Sequence, residues 1–573
     1  MPSARRRPIL VLSIALTLIA AAGPLTAQRA TRPPLTAEDI DDIAVLLKLE
    51  DTRQFDEAAL TRLVATKHPE VRRRAIVSVG RIVNDKGKAL LTTLHGEKNP
   101  ELLATVAFAT GQLKDAGAVA WLGELLLSPK TPAVAAKEAA QALGKIRTPE
   151  ARAALARYLT MAPATPAAAP TVGEALLSLG RFTTKEDLAP VLRWTSARDA
   201  GVRWRAAWAL FRPKDAAAVP PLMKLSADAS ADVRFWSVRG LTRALVDEST
   251  IGRADAAARL RQAINDPDRR VRTEAVRALA GYDDDASFDA LMRALESPDT
   301  WLSVSVAESL GRFTDRAAVV VPALVAASAA SKPLSLRITA LAPLSAMSPK
   351  DALALATSLS SDTNAYARSA AAQALRRLNP PAPAAGAPGQ GAGRGTGPQA
   401  PPQRVALTDE AYRALVTRWI VPDYNGAPRP RVAFVTPRGQ IDVELFPGDA
   451  PFGVEYLMQV IASGEIVNTE FSRVVPNFVA QQRAIRAQGT LRDEVNRRGL
   501  TRGNLSWASS GLDTGRPGYT LGSTPQPHNE GDFTALGTVV KGLDVVDHLE
   551  LGDMITGAKI LPALKATRLQ PRQ

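Results

Sequence analysis

The chain has no cysteine, so disulfides, thiolate metal sites and cysteine nucleophiles are excluded. Its four histidines, His68, His95, His528 and His548, are scattered, with no pair at ligand spacing. The sequence therefore predicts no metal site, and no cofactor is expected. Aromatic residues make up only 5% of the chain. Basic blocks are also scarce. The net charge is +14, yet after the N-terminus the arginines and lysines are dispersed, with no aromatic-interleaved basic patch. A nucleic-acid partner is not expected, and loose attraction to an anionic surface is left open.

Long apolar runs are nearly absent. The exception is Ile9 to Ala22, preceded by Arg5-Arg6-Arg7 and followed by small residues up to Thr26-Ala27. A charged start, an apolar stretch and a small-residue exit read as a secretory signal over residues 1–27. The stretch is short for the roughly 20 residues a bilayer span needs, and an uncleaved anchor is the alternative. With no cysteine after it, a lipid anchor is excluded. The expected mature protein is exported, periplasmic or secreted from a bacterium, without stable membrane insertion, and indifferent to the redox state of that compartment.

What remains is globular: 46% hydrophobic and 22% charged over 573 residues, enough for more than one domain. From residue 35 to 378 the chain repeats itself. A Pro or Asp turn leads into a small or apolar residue, often followed by Arg, and then an Ala-rich helix. His68-Pro-Glu-Val-Arg compares with Asp266-Pro-Asp-Arg-Arg-Val-Arg, Ala231-Asp-Val-Arg and Ala365-Tyr-Ala-Arg. Equivalent positions are Val71, Leu102, Val134, Ala168, Val202, Val233, Val271, Leu302, Leu336 and Ala367, 31 to 38 residues apart. Each unit reads as two helices. Val271, Ala275, Val276 and Leu279 share one helical face. A lone helix pair cannot bury that face, so the units must stack into an all-α solenoid. The region resembles HEAT repeats of the short PBS-lyase type. A pigment-lyase role has no support beyond that name, since attachment chemistry would need a cysteine. Solenoids present long surfaces, so protein partners are expected there; the alternative is a spacer. Trp204, Trp208 and Trp236 read as core fillers, and Asp283-Asp-Asp285 as a solvated turn.

Residues 379–403 are rich in Pro, Gly and Ala and read as a linker. Within 404–430, Thr408 caps a helix running to Ile420. Leu407 is placed to staple onto Tyr412. This helix is expected to pad either the C-terminal domain or the last repeat. From 431 to 566, short alternating stretches and two helices predict a closed antiparallel barrel.

One segment of that barrel carries chemistry. In Phe471-Ser-Arg-Val-Val-Pro-Asn-Phe-Val-Ala-Gln481, strand alternation sends Phe471, Arg473 and Val475 to one face. Pro476 ends the strand. A cation, an aromatic ring and an amide side chain follow in close order, a combination suited to an apolar ring beside a polar amide.

Val432 to Leu561 resembles the cyclophilin-type peptidyl-prolyl isomerases. The resemblance rests on Val432-Ala-Phe-Val-Thr-Pro-Arg-Gly-Gln-Ile-Asp-Val-Glu-Leu-Phe-Pro-Gly-Asp-Ala-Pro451, Val454-Glu-Tyr-Leu457, Phe471-Ser-Arg-Val-Val-Pro-Asn-Phe478, Leu505-Ser-Trp-Ala508 and Leu536-Gly-Thr-Val-Val-Lys-Gly-Leu-Asp-Val-Val-Asp547. It implies cis/trans isomerisation of X–Pro bonds in protein or peptide clients. It implies Arg473 as the catalytic residue, and Phe478 and Val479 as the walls of a proline pocket. Gln481 would hold substrate and orient the arginine, Ala508 and Ser509 would border the groove, and Phe533 would stand near a position often held by histidine. The chain departs from the family in four places. Gln482-Arg-Ala484 replaces Gly-Gly-Asp. Gly518 and Thr520 replace the groove glutamine and a pocket phenylalanine. His528 stands where an apolar or aromatic residue is common. A buried apolar wall is worth roughly 1.5–3 kcal/mol, so a weakened pocket is expected. The alternative is a non-catalytic scaffold or chaperone on the same fold.

Overall fold

Six of the repeats' second helices begin at a side-chain cap. In the computed structural model, which describes residues 32–185, 187–379, 406–483, 485 and 490–562, the side chains of His68, Asn99, Asp199, Asp268, Asp299 and Asn364 each accept a first-turn backbone N–H. Such donors are otherwise orphaned at a helix start. The helices they open include Pro69–Ile82, Pro100–Gln112, Ala200–Phe211, Arg269–Leu279, Thr300–Leu310 and Ala365–Leu378. Asp284 likewise caps Asp285–Leu295, which accounts for part of the acidic run there.

The recurring arginine is a staple between repeats. Arg203, Arg234 and Arg272 each donate to two carbonyls of their own turn. Each also pairs with an aspartate in the next turn: Asp228 at 2.7 Å, Asp266 at 2.7 Å and Asp299 at 2.6 Å. Val271, Ala275, Val276 and Leu279 are all fully buried. Close approach of neighbouring helices rests on glycine. A Cβ on Gly80 would lie 2.8 Å from the Ala109 Cα, and one on Gly111 would lie 2.8 Å from the Ala142 Cα. Trp204, Trp208 and Trp236 are buried against one another, with ring centres 6.3 and 6.4 Å apart.

The C-terminal domain is a curled antiparallel sheet of eight strands. They are β1 (Arg431–Thr436), β2 (Gly439–Leu445), β3 (Phe471–Val475), β4 (Val479–Gln482), β5 (Asn504–Ala508), β6 (Arg516–Gly522), β7 (Ala535–Lys541) and β8 (Gly557–Leu561). Their order is β3-β4-β6-β5-β7-β2-β1-β8. The curl is closed by the segment before β8, which bridges Met554 to Glu470 and exchanges backbone bonds with Phe471. Alternate residues such as Phe434, Val443, Phe471, Ala480, Leu505, Leu521 and Leu536 fill its interior. Two helices, Pro451–Ala462 and Leu543–His548, complete the domain.

The connecting helix Asp409–Leu415 is capped by Thr408 and continues through a wider turn, Val416–Ile420. It packs on the barrel helix Pro451–Ala462 and on the first solenoid helix, Ala37–Thr52, rather than on the last repeat. The Tyr412 hydroxyl donates to Asp51 at 2.8 Å, which fixes that choice. Leu407 does not staple: its side chain is 46% exposed, and its backbone N–H instead donates to the Tyr412 oxygen. The expected signal segment (1–27) and nearly all of the expected linker (380–403) lie outside the described residues. Among the described residues no helix is long and apolar enough to cross a membrane.

From Leu35 onward the chain is one compact unit, and the repeats' second helices hold the barrel along their length. Arg81 donates to the carbonyls of Val495 at 2.9 Å and Asp449 at 2.8 Å while pairing with Glu50 at 3.0 Å. Arg181 reaches the carbonyl of Glu530 at 2.7 Å, and Lys145 that of Gly531. The Trp301 indole N–H reaches the carbonyl of Leu549 at 3.0 Å. Several of the solenoid's cations thus serve loop carbonyls of the barrel, supplying donors where the two surfaces meet.

Candidate active site

The site grows from an irregularity in β3. Phe471 pairs with Gln482 and Arg473 with Gln481, so Ser472 is an extra residue, a β-bulge. The bulge breaks the alternation expected from the sequence. Phe471 turns into the core while Arg473 turns outward and is exposed. Directly opposed residues in antiparallel strands share a face. Arg473 opposes Gln481 on β4, Gln481 opposes Thr520 on β6, and Thr520 opposes Ser506 on β5. These four form one row across the outer face. Val479, two residues from Gln481, lies on the same face and is buried.

Phe478 stands at the end of this row, on a rigid turn. Asn477 adopts a left-handed φ of 64°, allowed by its short polar side chain. The Phe478 N–H donates to the Val475 carbonyl at 3.0 Å, and its own carbonyl accepts the Ser523 N–H at 3.1 Å. The Arg473 guanidinium carbon lies 5.6 Å from the Phe478 ring centre. Among the described residues Arg473 makes no ion pair, so its donors are available. His528 stacks on Phe478, ring centres 5.7 Å apart and planes 29° from parallel, and so fills an aromatic's place. Confinement between barrel and solenoid lowers the His528 imidazole, and Arg212, Arg239 and Arg181 add to this, down to about 4. It is neutral near pH 7.

The other expected residues fall differently. Ala508 ends β5, half-buried, beside a second bulge. The Ser509 hydroxyl donates to the Gly511 carbonyl at 2.5 Å, tying its own loop. Phe533 packs with Phe446, Leu500 and Ala535 in a separate small cluster. The Thr520 hydroxyl lies 2.7 Å from the Ser506 hydroxyl, giving the groove floor a polar pair where a ring would be apolar. Gln482 is buried and accepts the Tyr519 N–H at 3.3 Å.

The sequence reading missed what the solenoid adds to the rim. The Asn477 amide donates to the Arg270 carbonyl and to Glu274, both at 2.8 Å, and Arg277 donates to the Pro476 carbonyl at 3.2 Å. Burial pushes Glu274 up, but Arg239 and Arg277 outweigh it and keep the carboxyl ionised below its usual range. The only signal for these contacts was the arginine-rich start of the Val271 repeat, which reads equally well as a solvated face.

An exposed arginine over an aromatic ring, an amide beside it and a curled antiparallel sheet define a prolyl isomerase domain of the cyclophilin type. Residues 431–568 match the family model for cyclophilin-type peptidyl-prolyl cis-trans isomerases, and the chain belongs to that family. HEAT-repeat models match residues 87–172 and 257–342, and the PBS-lyase HEAT-like repeat model matches 202–228. A peptidyl-prolyl cis-trans isomerase of Helicobacter pylori (strain J99) is 33% identical over 139 residues, 22% of this chain and 86% of that protein. Peptidyl-prolyl cis-trans isomerase B of Bacillus subtilis is 30% identical over 129 residues, 21% of this chain and 90% of that protein. A crystal structure of a cyclophilin-type isomerase from Cryptosporidium parvum is 20% identical with a TM-score of 0.23, covering 24% of this chain and 99% of that one. The C-terminal domain is thus a peptidyl-prolyl cis-trans isomerase, joined to a HEAT-repeat solenoid.

Proposed function

We propose that this is an exported isomerase acting on X–Pro bonds of protein clients, with the solenoid as the surface that receives them. Resonance stiffens the prolyl C–N bond and sets a barrier of about 18–20 kcal/mol. No bond is made or broken during isomerisation. As the amide twists, its nitrogen becomes pyramidal and acquires a lone pair that accepts a hydrogen bond. A guanidinium placed to donate there binds the twisted state better than either planar isomer, which is the condition for catalysis. Arg473 is that donor. Phe478 and Val479 take the proline ring, and Gln481 holds the neighbouring peptide group. The observation carrying this reading is the exposed Arg473, free of ion pairs among the described residues, opposite Gln481 and 5.6 Å from the Phe478 ring.

Proline-limited peptide isomerisation tests it. The wild type should exceed the uncatalysed rate and Arg473→Ala should approach it; equal rates near the uncatalysed value would remove the assignment. The hydroxyl pair of Thr520 and Ser506 favours a second role for the same groove, holding clients with little turnover. That role predicts proline-dependent peptide binding without acceleration. Export rests on Arg5–Ala27 and is tested by N-terminal sequencing of protein recovered outside the cytoplasm, expected to start after Ala27.

A further inference from the structure

Behind Phe478 the barrel and the solenoid enclose a cleft of about 930 Å³. Phe478 and His528 form its barrel wall, and the helices carrying Trp208, Trp236 and Glu274 form the facing wall. It is therefore continuous with the site, since the same phenylalanine lies beneath Arg473.

The charges lining it are unbalanced. Arg239 and Arg277 share a single carboxylate, Glu274, at 3.5 and 2.9 Å. Arg212 has no carboxylate partner among the described residues. It donates to the Gly180 carbonyl at 3.3 Å and lies 5.5 Å from the Trp208 ring centre. The charged groups that act on it are Arg147, Arg239 and Arg181, all of its own sign. Glu308, on helix Thr300–Leu310, is the other acid lining the cleft, and it is solvent-exposed. Trp236 is 3% exposed. The Trp236 ring, 4.9 Å from the Arg239 guanidinium carbon, gives the cleft an apolar wall beside its charged side.

We propose that this cleft is a subsite built jointly by solenoid and barrel, which takes a carboxylate-bearing stretch of peptide flanking the X–Pro bond. The occupant is an acidic, proline-containing client segment. Its carboxylate meets the Arg212–Arg239 side, where charge-assisted bonds are strong. The subsite rests on the isomerase reading for the position of the proline, but its charge preference is measurable apart from turnover.

The test uses the full chain and ten-residue peptides with one X–Pro bond, carrying either Glu or Gln at three flanking positions. Binding is followed by tryptophan fluorescence and turnover by the proline-limited assay. We expect the Glu peptide to bind about tenfold tighter at low salt, with the advantage fading as ionic strength rises. Arg212→Gln should bring the Glu peptide to the affinity of the Gln peptide. Equal binding of the two peptides to the wild type overturns the subsite, whatever the turnover. Preferential binding of the Glu peptide with no turnover of either peptide upholds the subsite and removes the isomerase reading instead.

Discussion

The solenoid and the barrel solve the same burial problem over different distances. In the solenoid the staples join residues 25 to 32 apart, such as Arg203 with Asp228 and Arg234 with Asp266. In the barrel, β1 pairs with β8 across the domain, Arg431 against Leu561. Local staples let a repeat fail without dissolving its distant neighbours. A closed sheet has no such tolerance. The contrast teaches where the two are coupled: in donors that run from helix ends to barrel loops, and at Asn477, a turn that bonds helix Arg269–Leu279 while it positions the groove's Phe478.

The largest effect should follow from breaking that coupling. Arg81 is buried, pairs with Glu50 and serves barrel carbonyls. Arg81→Ala strands Glu50 without its cation, a change that costs about 3–5 kcal/mol. Differential scanning calorimetry should then show two separated unfolding transitions where the wild type shows one; a single unshifted transition would mean the halves are already independent. Next comes Arg473→Ala. Loss of one transition-state donor lowers kcat by about 10²–10³-fold. Because Arg473 is exposed and free of ion pairs among the described residues, the melting temperature should not move, which separates function from fold at one residue.

Acid should act on the solenoid side of the coupling. Burial pushes Glu70 up, but Arg73 and Arg74 outweigh it and bring its carboxyl down to about 2 from an ordinary 4.5. A depressed carboxyl pKa contributes stability that is complete above about pH 4.5 and lost as the pH falls toward 2. The linkage amounts to ~3 kcal/mol at one unit per 1.36 kcal/mol. Arg74 also donates to the Gly448 carbonyl at 3.0 Å, so protonating Glu70 loosens a barrel contact as well. In Glu70→Gln, stability measured by denaturant titration should be lower at pH 7 and flatter between pH 4.5 and 2. A smaller effect is expected within the solenoid alone. Gly111→Ala gains about 1 kcal/mol of helix propensity, but its Cβ would lie 2.8 Å from the Ala142 Cα, and overpacking costs about 1–3 kcal/mol. A net loss with turnover unchanged is the expected outcome; unchanged stability would mean that neighbouring repeats slide apart freely.

These sites differ in how legible they were. The repeat was readable because capping and stapling bring back the same residue types in several units: Asp or Asn at the cap before Val202, Val271, Leu302 and Ala367, and Arg for the staple after Val202, Val233, Val271 and Ala367. The segment from Phe471 to Gln481 was readable because its chemistry is carried by adjacent residues. The facing of Arg473 was not, since alternation alone puts it with Phe471; the bulge at Ser472 depends on how β4 pairs, which no local pattern records. The solenoid's grip on Asn477 was hidden for a related reason. It joins residues some 200 positions apart, through a side-chain amide donating to a carbonyl and a carboxylate, and such bonds leave no periodicity.

The finest test concerns the floor of the groove. Thr520 is 7% exposed and its hydroxyl is bonded to Ser506, so the surface offered to a proline ring is partly polar. Thr520→Val keeps the shape and exchanges the hydroxyl for a methyl. Ser506 loses a partner, which costs stability of about 1 kcal/mol. The ring of a bound proline gains an apolar neighbour, and one methyl-sized contact is worth about 0.8 kcal/mol, or roughly a fourfold change in affinity. The expected result is a slightly less stable protein with a KM lowered about two- to fourfold and kcat unchanged, because Arg473 and Gln481 are untouched. If KM rises instead, the hydroxyl pair contacts the substrate backbone, and the polar floor is part of recognition rather than a weakened wall.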